Sequence, residues 1–508
     1  MKQAVLALAM FFSCLSTARA GVDERYFALV VGYNGPRGAA DADAIAPLRY
    51  ADDDALSFYE LEQEAGAEAV LLTVPDADSR RRFPWAAAVA RPPTLSEVEQ
   101  AVSDLNTRMD ASARAGHSPV FLLFFSGHGS RSQDRGAALV LLDGELSGRT
   151  LRERVLDNVH AQTIHLVIDA CHADAVARPR DIDAKAVTVT QAEIMAQLSA
   201  EMANSHPHMG LVLASDGGNP SHEWDLYQSG VFTHEVISGL RGAADINHDG
   251  RIEYSELAAF LTAANREVLD TRARVHSIVQ PPAAQPRAPL IELGADAATG
   301  WLTDVPSSAG RFFVEDERGN RILDGHAEIG FSMSLAIPPG QLLFVHDGEG
   351  EAELIVSRGE RRRFDTLAFH KSSLQARGAI ETSLERGLFL TPYGPGYYDG
   401  YVDSHDAVRA VSLASAEVSR EATSPVLVPA KRKPLIWTLG GASGALLGSS
   451  LVFAGLALRA RADFEATSTQ VAAWQANDRF QLDSTLALTF LGSAIVCAAA
   501  SYVLDVRP

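Results

Sequence analysis

Two short apolar runs constrain the fold more than any other feature of the chain. Val120-Phe121-Leu122-Leu123-Phe124-Phe125 leads into Ser126-Gly127-His128-Gly129, and Ile164-His165-Leu166-Val167-Ile168 leads into Asp169-Ala170-Cys171-His172. Runs of this length with almost no polar interruption read as strands buried on both faces, as in a parallel sheet covered by helices. Residues 27–32, 69–74, 137–142 and 210–215 repeat the pattern. Between them, residues 52–65, 94–115, 147–158 and 232–240 read as helices, the second opened by a Thr94/Glu97 capping box. Strand and helix in alternation, with long connections, predict an α/β fold: a three-layer α/β/α sandwich with right-handed crossovers. If the two apolar strands are parallel neighbours, His128 and Cys171 emerge side by side at the carboxyl edge, where open α/β sheets bind ligands. An imidazole next to a thiol is a proton acceptor next to a nucleophile.

Five pieces taken in order carry a family likeness: Phe27-Ala28-Leu29-Val30-Val31-Gly32, Tyr50-Ala51-Asp52-Asp53-Asp54-Ala55, Ser126-Gly127-His128-Gly129, Asp169-Ala170-Cys171-His172 and Gly230-Val231-Phe232-Thr233. Over residues 25 to 290 the chain resembles the caspase and metacaspase cysteine peptidases, in particular their bacterial caspase-like branch. The histidine precedes the cysteine by 43 residues (171 − 128), near the spacing of about 50 known for caspases. The resemblance implies a caspase-hemoglobinase fold acting on protein or peptide substrates. It makes Cys171 the nucleophile and His128 the base that later protonates the leaving amine. The backbones of Gly129 and Cys171 become the oxyanion donors. By the same resemblance Asp169 and Asp54 line the pocket for the residue before the cut bond, and two carboxylates there attract Arg or Lys and repel Asp. Asp52 and Asp53 remain open as alternatives to Asp54. Ala173-Asp174 stands where the family has Ser-Gly, which alters the loop after the nucleophile. Two basic loops, Arg80-Arg81-Arg82 and residues 178–185, are candidates for self-cleavage.

Residues 245–256 fit a calcium loop of the EF-hand type. Asp245, Asn247 and Asp249 stand at positions 1, 3 and 5, Gly250 at the sharp turn, Arg251 as a carbonyl donor and Glu256 at position 12. Because this loop stands alone, the expected cofactor is one Ca2+ that is structural or activating rather than a paired sensor.

Val279-Gln280-Pro281-Pro282 begins a Pro-rich linker, and from about 291 to 430 short β-rich runs predict a sandwich-like accessory domain. Residues 1–20 read as a secretory signal peptide. Cys14 would leave with it and Cys497 lies far downstream, so the mature peptidase domain (21–290) contains Cys171 alone and no internal disulfide. Residues 435–458 and 485–504 are uncharged stretches of 24 and 20 residues, each long enough to span a bilayer, joined by a loop at 459–484. They predict a C-terminal two-helix transmembrane hairpin. The expected location is the bacterial envelope: inner membrane, with the catalytic domain in the periplasm. A formal charge of −20 argues against nucleic acid as a partner. The sequence therefore reads as a membrane-anchored, exported cysteine endopeptidase cutting after Arg or Lys. The rival is a catalytically silent calcium-binding scaffold that presents the β-rich domain to a partner.

Overall fold

The computed structural model describes residues 23–35, 47–132, 136–170, 206–215, 223–270, 273–293, 298–348, 350–371 and 379–405. They belong to one compact unit, Met1–Arg409. Its α/β part runs β1 (Glu24–Tyr33), α1 (Ala51–Glu64), β2 (Glu68–Thr73), α2 (Leu95–Arg114), β3 (Ser118–Gly127), β4 (Gly129–Ser132), β5 (Gly136–Leu141), β6 (Gly144–Ser147), α3 (Gly148–Arg154), β7 (Thr163–Asp169), β8 (Met209–Ser215), α4 (Val231–Ser238), α5 (Tyr254–Asn265) and β9 (His276–Gln280).

The central sheet has the order β9-β8-β7-β3-β1-β2. Five strands are parallel, and β9 runs antiparallel against β8 with Ile278 opposite Leu213. The sheet is therefore mixed, where the sequence pointed to a parallel one. Val279 and Gln280, read from sequence as the start of the linker, instead close β9. An antiparallel edge strand on an otherwise parallel sheet is common in α/β folds. The run at 137–142 also behaves differently from the others. It forms β5, which pairs with β4 and β6 in a separate three-stranded antiparallel sheet beside His128.

Strict alternation sends the strand side chains into two cores. Ala28, Val30, Leu122, Phe124, Val167 and Val212 face one side with Leu56, Phe58 and Leu61 of α1, Val236 of α4 and Leu257 of α5. Phe27, Leu29, Phe121, Leu123, Phe125, Leu166 and Ile168 face the other with Val98, Leu105 and Met109 of α2 and Leu151 of α3. That is the three-layer build, and it follows from the period-two pleat of strands with no polar face. Phe58 of α1 stacks on Phe124 of β3 with ring centroids 4.1 Å apart, which fixes the helix on the sheet.

Beyond β9, two further sheets of three and five strands span Gly300–Pro306 to His370–Lys371. Leu302, Phe312, Val314 and Leu335 of these strands enter the same buried cluster as Leu240 and Phe260 of the α/β part. Gly242 makes this contact possible. Its φ is +105°, and a Cβ there would lie 2.4 Å from the carbonyl oxygen of Ser334. Among the described residues no helix is long and apolar enough to cross a membrane. Residues 1–20, 435–458 and 485–504 lie outside the described residues.

Candidate active site

The site is assembled by α1, β3, β7 and the start of α4. In α1, Asp54 lies one turn before Phe58 and so shares its face. In β3, Ser126 lies two residues beyond Phe124 and so shares its face too. The Phe58–Phe124 stack thereby brings Asp54 to Ser126, whose hydroxyl donates to Asp54 Oδ2 at 2.7 Å. Register then brings in Asp169, which sits directly opposite Ser126 across the β3–β7 pair. Thr233 Oγ1 in the first turn of α4 donates to Asp169 Oδ2 at 2.8 Å. Ser229 Oγ and the Gly230 amide donate to Asp54 Oδ1 at 2.5 and 3.0 Å.

Asp54 and Asp169 are both buried, at 2% and 4% exposure. A Cβ placed on Gly230 would lie 2.7 Å from Asp169 Oδ2 and 3.1 Å from Asp54 Oδ2. Those two oxygens are thus no more than 5.8 Å apart, the sum of the two distances. Burial pushes the Asp54 carboxyl well above the usual range and the charge of Asp169 pushes it further. The hydrogen bonds from Ser229, Ser126 and Gly230 pull it back only in part. Glu223 and Glu235 are also raised, by burial first, with Asp169 among the further causes. The carboxyl edge is an acidic basin.

The three aspartates that open α1 separate cleanly. Asp52 is held by Asn34 Nδ2 at 2.7 Å, Ser79 Oγ at 2.6 Å and the Asp76 amide at 2.8 Å. Asp53 faces Arg82 at 3.7 Å, and burial followed by the charge of Asp52 pushes it up to about 7. Asp54 is the one beside Asp169. Arg82 is not in a loop as the sequence suggested. Arg80, Arg81 and Arg82 end a short helix, Ala77–Arg82, because Asp76 caps its first amides.

His128 follows β3 and is half-buried. Its carbonyl accepts from the Val140 amide at 2.9 Å, which ties it to β5. Gly35 packs against the ring: a Cβ there would fall 2.9 Å from His128 Cδ2. Gly129 opens β4 opposite Leu139. The last described residue pair of β3 and β7 is Ser126 and Asp169, and two residues beyond them in sequence stand His128 and Cys171. Cys171 lies outside the described residues, as does the basic stretch 178–185. Ser126, Ser229, Gly230, Thr233 and Gly35 were missed as site residues in the sequence. Ser126, Gly230 and Thr233 did carry a signal, as members of the family pieces Ser126-Gly127-His128-Gly129 and Gly230-Val231-Phe232-Thr233, but without a role; Ser229 and Gly35 carried none.

The calcium-type loop ends against α5. Asp245 Oδ2 accepts from the Gly250 amide at 3.0 Å, Asn247 Oδ1 from the Asp249 amide at 2.8 Å, and Asp249 Oδ1 from the Arg251 amide at 2.8 Å. Glu256 accepts from the Glu253 amide at 2.8 Å and the Ile246 amide at 3.3 Å. Among the described residues, no three His, Cys, Asp or Glu side chains gather closely enough to hold a metal ion. The carboxylates instead turn toward the loop's own amides. Asp245 Oδ1 is buried with no partner among the described residues. The donor set is all oxygen, as a hard cation requires, so the residues fit calcium by chemistry.

A three-layer sheet with a histidine and a carboxylate pair at its carboxyl edge defines a caspase-like α/β domain. The peptidase C14 caspase-domain family model matches residues 25–286, just over half of the 508 residues, and the chain belongs to that family. Among solved structures it is similar to protein GSU0716 from Geobacter sulfurreducens, at 16% identity and a TM-score of 0.33 over 53% of this chain and 100% of that one. It is also similar to pro-sf-caspase-1, at 11% identity and a TM-score of 0.26 over 52% of this chain and 87% of that one. No curated protein matches the chain.

Proposed function

We propose that this caspase-family protein is an exported, membrane-anchored cysteine endopeptidase that cuts after Arg or Lys. The observation that carries the reading is the buried Asp54–Asp169 pair, adjacent in register to the strand end that leads to His128. Two carboxylates this close repel each other, and among the described residues Asp54 has no ion pair. A guanidinium or ammonium entering between them relieves that repulsion, whereas an aspartate side chain adds to it.

In this mechanism His128 takes the proton of the Cys171 thiol, and the thiolate attacks the carbonyl carbon that follows the basic residue. The amides of Gly129 and Cys171 donate to the tetrahedral oxyanion. The intermediate collapses to a thioester as His128 passes its proton to the leaving amine. Water, deprotonated by His128, then hydrolyses the thioester and frees the sulfur. Calcium bound by Asp245, Asn247, Asp249, the Arg251 carbonyl and Glu256 would offset two of the three carboxylate charges at the head of α5. Export and anchoring rest on residues 1–20 and on the apolar stretches 435–458 and 485–504.

The test is turnover of fluorogenic peptides ending in Arg, Lys or Asp, with labelling by a thiol-reactive Arg-directed probe. Arg and Lys peptides should turn over, the Asp peptide should not, and Cys171→Ala should abolish both turnover and labelling. Labelling that persists in Cys171→Ala would overturn the assignment of the nucleophile. A wild-type protein with neither labelling nor turnover would leave the silent scaffold as the better description.

A further inference from the structure

A second site lies behind the carboxylate pair, where the α/β part meets the following sheets. A cavity of about 60 Å³ opens there, bounded by α1, the Arg82–Phe83 turn, Tyr227, α4 and the strand Arg321–His326. Three guanidiniums line it: Arg82, Arg241 and Arg321. Each is fixed from one side by an acid that does not line the cavity. Arg82 faces Asp53 at 3.7 Å, Arg241 Nη1 faces Glu64 at 2.7 Å, and Arg321 Nη1 faces Asp324 at 3.0 Å. Fixing leaves donors over. Arg241 Nε, Arg321 Nε and the Tyr227 hydroxyl are all buried with no acceptor among the described residues. These residues are 2%, 6% and 0% exposed.

Buried donors without acceptors are strongly disfavoured, and three of the residues that line this one cavity each carry such a donor, which an occupant rich in acceptor oxygens would satisfy. The two acids on the wall do not supply it. Asp316 accepts from the Arg318 and Asn320 amides and from Asn320 Nδ2, each at 2.9 Å. Glu60 accepts from Trp85 Nε1 at 2.9 Å, and burial followed by the charge of Glu64 pushes it up to about 7. On the wall itself the three guanidiniums meet two carboxyls, Asp316 and Glu60, and both already accept hydrogen bonds from other groups. A volume of 60 Å³ holds about four to six water-sized probes, at about 10–15 Å³ each. That is room for one compact tetrahedral anion and too little for a nucleotide.

We propose that this cavity binds a free tetrahedral oxyanion of the phosphate class, held by Arg241, Arg321, Arg82 and Tyr227. Because its walls come from both parts of the unit, the anion ties the α/β layers to the sheets that follow. Ser229 also lines the cavity and bonds Asp54 Oδ1, so the anion sits one side chain from the carboxylate pair. The site does not depend on the peptidase reading and can be tested on inactive Cys171→Ala protein.

The experiment is calorimetric titration and thermal melting of the full-length chain with sodium phosphate, against sodium chloride at equal ionic strength. Phosphate should bind saturably and raise the melting temperature, with chloride doing neither. Tyr227→Phe removes a hydroxyl that has no partner among the described residues, so the fold should survive it, while phosphate binding weakens about tenfold. Arg82→Gln, at the rim, should weaken binding by at least as much. An effect of phosphate no larger than that of chloride would show that the cavity holds only solvent. Saturable binding that is unchanged in both variants would place the anion elsewhere, and either outcome overturns the proposal.

Discussion

Replacing Asp54 by Asn should make the protein more stable and, at the same time, a much poorer enzyme on Arg substrates. Asparagine is isosteric and keeps the oxygen that accepts from Ser229 Oγ and the Gly230 amide. Its amide group faces Ser126, whose hydroxyl rotates to accept. What disappears is the negative charge within 5.8 Å of Asp169. Two unit charges at that distance, in an effective dielectric of about 20, interact by about 3 kcal/mol, and more if they are closer. A raised folded-state pKa means that the native state holds a proton the unfolded chain has released. Its stabilising contribution is complete below about pH 4 and is lost as pH rises toward the folded value. Asp54→Asn removes that loss. Chemical denaturation should show a gain of up to about 3 kcal/mol at about pH 8 that vanishes near pH 4. The same charge is one of two that would meet a substrate guanidinium. Its removal should lower kcat/KM on an Arg peptide about 10²-fold, with little change on a neutral-residue peptide. A variant less stable at pH 8 than the wild type, or one that cleaves the Arg peptide undiminished, would refute both the coupling and the pocket.

Gly230→Ala tests the same pair sterically. The added methyl meets two carboxylate oxygens at 2.7 and 3.1 Å, and denaturant unfolding should show about 1–3 kcal/mol of lost stability; a neutral result would mean that the pair is free to move. His165, buried in mid-β7 with Nδ1 2.6 Å from the Tyr254 hydroxyl, is held by burial at about 3. The unfolded chain binds a proton there that the folded chain does not, so stability should fall with pH from about 6.5 to about 3, by about 5 kcal/mol in all. His165→Asn should flatten that acid limb, and an unchanged slope would show that another group causes it. Calcium at a hundredfold excess over its dissociation constant should stabilise the protein by about 2.7 kcal/mol. Chelation and Asp249→Asn should each remove this increment, and a melting temperature indifferent to calcium would exclude the loop as a site.

Much of the α/β architecture was legible because its signals are local. Continuous apolar strands can only be buried on both faces, and Thr94 caps α2 by accepting from the Glu97 amide, although the other half of the expected capping box is missing: the Thr94 amide donates to the Pro92 carbonyl. The Ser-Gly-His-Gly and Asp-Ala-Cys-His motifs point to the carboxyl edge of the sheet, and Ser126 and Asp169 lie opposite each other there. Other features had no local signal. The antiparallel course of β9 depends on which neighbour an edge strand finds, and its sequence gives no sign of strand direction. Trp224 is 4% exposed with its ring centroid 4.5 Å from that of Tyr227, a burial that its Gly- and Ser-flanked surroundings do not mark. Tyr393, in a Gly- and Pro-rich segment, is 1% exposed and donates to the Glu256 carbonyl at 3.1 Å.

By itself the sequence determined the layers, the strand ends and the residue types that could do chemistry there, because periodicity and turn chemistry act over a few residues. Only the tertiary structure decided among Asp52, Asp53 and Asp54. Three adjacent carboxylates on one helical turn point about 100° apart, and which of them meets Asp169 depends on how the Phe58–Phe124 stack rotates α1 on the sheet. The arginine cavity was invisible for the same reason: residues 82, 227, 241 and 321 share no spacing and meet only once the two parts of the unit pack.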